Sequence, residues 1–171
     1  YVLRQIKITN PNSEIFLISD KENKKYSKYS TFVDISKIQS LESKSFKENY
    51  IHLGKSAPNY EMFCMLRCII LRDFMREYNI KECLHIDSDI LIFSDLNKAL
   101  NPFSNYKISL AHNLALTMHI KDIEILDEFS KYLLFKYTNE NELNKLKDMY
   151  YKTERVNNGV AGSISDMDIS R

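Results

Sequence analysis

Two carboxylates one residue apart, Asp87-Ser88-Asp89, interrupt the otherwise apolar run Leu84 to Phe93 (LHIDSDILIF). Ionised carboxylates are costly to take out of water unless something positive faces them. In an extended strand both side chains point to one face, with Cα atoms roughly 6.5–7 Å apart. Oxygen donors so placed suit a hard divalent cation, whose shell phosphate oxygens can complete. The other reading is that the strand ends here and both groups are solvated loop residues.

Arg67 is the expected counterpart. Set at zero, with 100° per residue, it has Tyr60, Phe63, Cys64, Ile70, Leu71, Phe74 and Tyr78 within about 60°. Glu61, Arg72 and Arg76 fall on the opposite, charged side. Tyr78 back to Arg67 is about 16 Å of helix, and Cys83 forward to Ser88 about 16 Å of strand. A helix packed antiparallel on that strand would bring Arg67 level with Asp87. A partly buried Arg needs an anion, either these carboxylates in a simple bridge or a phosphate beside them. Asp20 closes an earlier apolar run and, as a strand-end acid, would face the same crevice or serve as a turn residue. His119, just before a predicted helix, reads as a partly buried structural residue or a phosphate or acceptor contact. His52, His85 and His112 form no metal set by spacing.

The elements that must hold these residues alternate in type. A helix ends at Asn10-Pro11-Asn12-Ser13, and Ile15–Ile18 and Phe32–Ile35 read as strands. Residues 21–31 read as a polar loop and 36–49 as a surface helix. The strongest helix covers 60–78, and the strand 84–93 follows. Ser94-Asp95 caps a helical turn over 96–100. Residues 107–111 form a further strand, 113–118 a connection, and 120–137 and 140–151 two helices. This order predicts an α/β fold, a single domain with a mostly parallel sheet flanked by helices.

Composition narrows the chemistry. The 171 residues carry a net charge of +1, which gives no support to nucleic-acid binding by bulk charge. With three glycines no G-x-G-x-x-G fingerprint can be written, and Gly54-Lys55-Ser56 lacks the upstream glycine of a phosphate loop, where Asn49 stands. Cys64, Cys68 and Cys83 read as small core residues of a reducing compartment. No apolar stretch reaches the roughly 18 residues of a membrane span.

The segments Asn59–Arg67, Leu71–Met75 and Leu84–Leu91 together resemble nucleotide-sugar glycosyltransferases of the GT-A fold. In that family an Arg-bearing helix precedes the strand that carries a D-x-D motif. The resemblance implies a Rossmann-like sheet and a manganese or magnesium ion holding the donor diphosphate. Asp89 would be the principal metal ligand, with Asp87 contacting the ribose and the metal. Asp20, Arg67 and Ser88 would join Asp87 in binding the nucleotide-sugar donor.

The segment Gly159–Met167 resembles the family's acceptor-side loop. There Asp166 would be the general base toward a glycan or other hydroxyl acceptor, its alternative role being a helix N-cap. Asp168 makes a second D-x-D-like pair with it. The family's first strand would precede Tyr1 and its late metal-binding His would follow Arg171, so the expectation is a catalytic domain without those ends. The expected setting is cytoplasmic, with association to the inner face of a membrane left open. Two other functions fit a D-x-D after an apolar strand: a haloacid-dehalogenase-like phosphatase, and a non-catalytic nucleotide-sugar-binding module. In the first of these the nucleophilic Asp stands near the chain start and Thr or Val follows the pair. Here about 80 residues precede Asp87, and Ile90 follows.

Overall fold

A computed structural model describes residues 1–111, 114–156 and 163–164. The chain is α/β, as its alternating elements predict, and its packing gathers into two compact units. The first comprises Tyr1–Ile38 and Ile80–Asp122, the second Gln39–Asn79 and Ile123–Arg171. Among the described residues no helix is long and apolar enough to cross a membrane.

The first unit opens with α1 (Val2–Thr9). β1 (Phe16–Ser19) and β2 (Thr31–Asp34) pair in parallel, with Ser19 opposite Asp34. Residues 21–29, expected as a loop, wind as a 3-10 segment linking the two strands. A second sheet holds β3 (Cys83–Ile86), β4 (Ile108–Ala111) and β5 (Leu114–Ile120) in the order β3-β5-β4, antiparallel throughout. Between β3 and β4 lies the short α4 (Leu96–Leu100), capped by Asp95 Oδ1, which accepts from the N–H of Asn97 at 3.0 Å.

The expectation of a mostly parallel sheet is therefore corrected: one strand pair is parallel and two are antiparallel. The cause is β5, most of which falls where the sequence predicts a connection over 113–118. Leu114, Leu116, Met118 and Ile120 alternate with Ala115, Thr117 and His119, the period-2 pattern of a strand. Met118 and Ile120 are buried. A short link returns the chain antiparallel beside β4, where a parallel strand would need a long crossover.

The second unit is helical: α2 (Leu41–Asn49), α3 (Pro58–Glu77), α5 (Ile123–Thr138) and α6 (Glu140–Val156). α3 packs on α2 and α5, and α5 on α6. α2 is more than the surface helix expected, because Phe46 is completely buried and stacks edge-on to Tyr137, ring centroids 5.1 Å apart. From Cys68 to Met75 every residue of α3 is buried. Met65 and Ile69 lie on the side expected to face water, and each such side chain contributes about 1.5–3 kcal/mol on burial.

Arg72, also expected in solvent, is 1% exposed. Its Nη2 donates to Asp73 Oδ1 at 2.7 Å, Glu42 Oε2 at 2.8 Å and Ser40 Oγ at 3.1 Å. Asp73 Oδ2 in turn accepts from the Ser43 hydroxyl at 2.6 Å and the Ser40 N–H at 3.0 Å. This polar network ties the start of α2 to the middle of α3. Arg76 does reach the surface and forks onto both oxygens of Asp127, at 2.6 and 2.7 Å.

Candidate functional site

The D-x-D lies at the carboxyl end of β3, but not within it. Pairing with β5 ends at Ile86 opposite Thr117. Asp87 leaves the sheet half-buried, and Ser88 and Asp89 form an exposed turn closed by the Ile90 N–H on the Asp87 carbonyl at 3.2 Å. The expected strand over 84–93, with both carboxylates on one strand face, is thus corrected. Continued pairing would have carried two ionised groups into the sheet, and ending the strand at Ile86 leaves the Asp89 carboxylate in water.

Beyond the turn the chain is held by α1 rather than by a neighbouring strand. The Gln5 carboxamide accepts from the Ile92 N–H at 2.8 Å and donates to the Ile92 carbonyl, so it satisfies the backbone as a sheet partner would. Thr9 Oγ1 also donates to that carbonyl, at 2.9 Å. Asn10 donates to the Ser94 carbonyl at 3.1 Å and accepts from the Leu96 N–H at 2.7 Å. Two side chains of α1 and its C-cap Asn10 therefore fix both the exit from the D-x-D turn and the start of α4.

Asp20 stands exposed just after β1, where its Oδ1 accepts from Asn23 Nδ2 at 2.8 Å. It thereby shapes the turn into the 3-10 segment. Sequence reasoning passed over its neighbour Asp34, which closes β2 in the same way and is buried. Asp34 Oδ1 accepts from the Ser36 hydroxyl at 2.6 Å and the Ser36 N–H at 3.0 Å. The Ser36 hydroxyl bond, with help from Lys21 and Lys37, outweighs burial and holds the Asp34 carboxyl below its ordinary range. The overlooked signal was an acid at the end of an apolar strand, as at Asp20.

Arg67 is half-buried on α3 and belongs to the second unit, whereas Asp20 and the D-x-D belong to the first. Asp166 and Asp168 lie outside the described residues, as do His112 and Gly159–Gly162. Of the small-residue segment, Ile164 is described: it is buried, and its N–H donates to the Leu53 carbonyl at 2.7 Å. His119 is not a pre-helix residue but a buried member of β5, with Nε2 2.8 Å from Glu82 Oε1.

Glu61 was also expected in solvent and is buried on the first turns of α3. Its Oε1 accepts from the Ser56 N–H at 2.9 Å, and its Oε2 lies 3.4 Å from His52 Nδ1. A Cβ at Gly54 would collide with this carboxylate, so glycine there lets the 51–57 loop close over it.

None of the three cysteines is in a disulfide. Burial, followed by the neighbouring Glu82 charge, pushes the Cys83 thiol up to about 12. Since the thiolate is the reactive form, Cys83 is expected to resist iodoacetamide at pH 8 in the folded protein and to label on unfolding. Mass spectrometry of the alkylated peptides checks this, and rapid labelling of folded Cys83 would contradict it.

Comparison with known proteins returns no matching family model, no matching curated protein and no matching solved structure.

Proposed function

We propose that this chain is the catalytic domain of a metal-dependent glycosyltransferase of GT-A type, moving a sugar from a nucleotide donor to a hydroxyl acceptor. The observation that supports it most is the placement of the D-x-D. Both carboxylates leave the sheet at the carboxyl end of β3, in a turn braced from behind by Gln5, Thr9 and Asn10.

The donor set suits the ion. Among the described residues no group of three or more His, Cys, Asp and Glu gathers to hold a metal. Magnesium-like ions commonly take one or two carboxylates and complete their shell with water and substrate phosphates. Asp89, exposed, and Asp87, half-buried, would supply those two. Held by Asp87 and Asp89, such an ion would supply charge to offset what develops on a departing diphosphate.

The remaining work falls to this chain's residues. Ser88 and Asp20 would orient the nucleotide, and Arg67 enters this reading through the sequence resemblance. In an inverting transfer, as the bond from the anomeric carbon to the diphosphate breaks, the acceptor oxygen bonds to that carbon and gives its proton to the Asp166 carboxylate. A cytoplasmic location is part of the same proposal.

The decisive experiment titrates nucleoside diphosphates into the protein by calorimetry, with and without manganese. Binding that requires manganese is the expected result, and absence of binding under both conditions would refute the reading. Asp166→Asn is expected to keep donor affinity and lose transfer, a fall in kcat without a change in binding. Full transfer by that variant would remove Asp166 from the chemistry.

A further inference from the structure

The link between β1 and β2 reads Lys21-Glu22-Asn23-Lys24-Lys25-Tyr26-Ser27-Lys28-Tyr29. It carries four lysines and one acid, a net +3, in a chain whose total is +1, so the rest of the molecule is net −2. The four lysines are all exposed. Among the described residues, the one carboxylate within ion-pairing distance of any of them is Asp34, 3.9 Å from Lys21. Lys37 also acts on Asp34 and so adds a fifth ammonium at that end.

Tyr26 stands among them 60% exposed, with Lys25 Nζ 5.1 Å from its ring centre. Lys28 lies 5.5 Å from the ring centre of Tyr29. Folding thus leaves a cationic, aromatic-studded ridge with little internal neutralisation. Nothing in the proposed sugar transfer uses it.

We infer that this ridge is a docking surface for an anionic phospholipid membrane. The segment is two short 3-10 stretches joined at a kink at Ser27, so it spans less than the ~18 Å of a straight nine-residue 3-10 helix. That offers a compact contact to a flat charged sheet rather than a track along a polynucleotide. Lysines clustered on one surface are drawn to anionic headgroups, and an exposed Tyr ring, apolar with a polar tip, matches headgroup depth. The segment presents no apolar face to insert, so attachment is superficial, reversible and screened by salt. The inference stands independently of the D-x-D.

The test is co-sedimentation of the whole chain with phosphatidylcholine vesicles, with and without about one-third phosphatidylglycerol. Binding is expected to the anionic vesicles alone and to disappear as salt rises from ~0.05 to ~0.5 M. At about fivefold per lysine, K24Q/K25Q/K28Q together should weaken partitioning about 100-fold. K44Q/K81Q/K131Q removes the same charge from exposed lysines elsewhere and should leave it within a few-fold. Equal losses in the two triple variants would overturn the assignment to this ridge. Equal wild-type binding to both vesicle types would overturn it as well, whatever the folding of the variants. So would tighter wild-type binding to a single-stranded oligonucleotide than to anionic vesicles, which would make the ridge a nucleic-acid contact.

Discussion

Asp89→Ala is expected to abolish manganese-dependent binding of a nucleoside diphosphate while leaving stability unchanged. Asp89 lies on an exposed turn, and surface substitutions away from caps and networks usually stay within about 0.5 kcal/mol. Removing one of two nearby carboxylates also relieves repulsion in the metal-free protein. With metal and diphosphate present the same deletion takes away a charged oxygen ligand. The loss should be about 100-fold or more in affinity, the equivalent of about 2.7 kcal/mol. Calorimetry in manganese and a urea melt of the same preparation separate the two effects. Unchanged affinity would show that Asp89 is not a metal ligand. A collapse of the melting curve would show that the turn is structural.

The second large effect is expected far from that turn, in the helical unit. Asp73→Ala leaves Arg72 buried without its nearest counter-charge and removes the acceptor of Ser43 and Ser40. Breaking one partner of a buried pair costs about 3–5 kcal/mol, a large share of the 5–15 kcal/mol that typically separates folded from unfolded chains. Arg76→Ala supplies the contrast. Its fork onto Asp127 is equally short, but the Arg76 side chain is half exposed, and about 0–1 kcal/mol is expected. Urea midpoints of the two variants test the ordering, and a loss at Asp73 no larger than at Arg76 would contradict it.

Asp73 also sets a pH dependence. Burial alone would raise its pKa, but the bonds from Ser43, Ser40 and Arg72 together outweigh burial and hold it below the ordinary value of 3.8. The stability it contributes is therefore complete above that value and disappears as pH falls through the lower folded one. Wild-type protein should lose stability more steeply than Asp73→Asn on acidification below about pH 4.

Local signals in the sequence determined most of the elements. Asn10-Pro11 ends α1, Asp95 caps α4, and the long apolar periodicity builds α3. The spacing of Leu126, Leu133 and Tyr137 places one buried face on α5. Asp20 was legible as a strand-end acid for the same reason, since it follows a short apolar run, whereas Asp87 read as lying inside a longer strand.

Tertiary structure decided the rest. β3 stops at Ile86 because β5 pairs with it no further, and β5 itself needed its partners β3 and β4 to be recognised as a strand. A helical wheel splits α3 into a wet and a dry side, but two flanking helices leave no wet side over Cys68–Met75. Arg72 could not be placed from its own position on the wheel. Its burial depends on Ser40, Glu42, Asp73 and Asp127, three of them distant in the chain and brought near by packing alone. Periodicity records where side chains point along one element. Which directions meet water is settled only by the other elements that arrive there, and a charge is tolerated inside when those elements carry its partners.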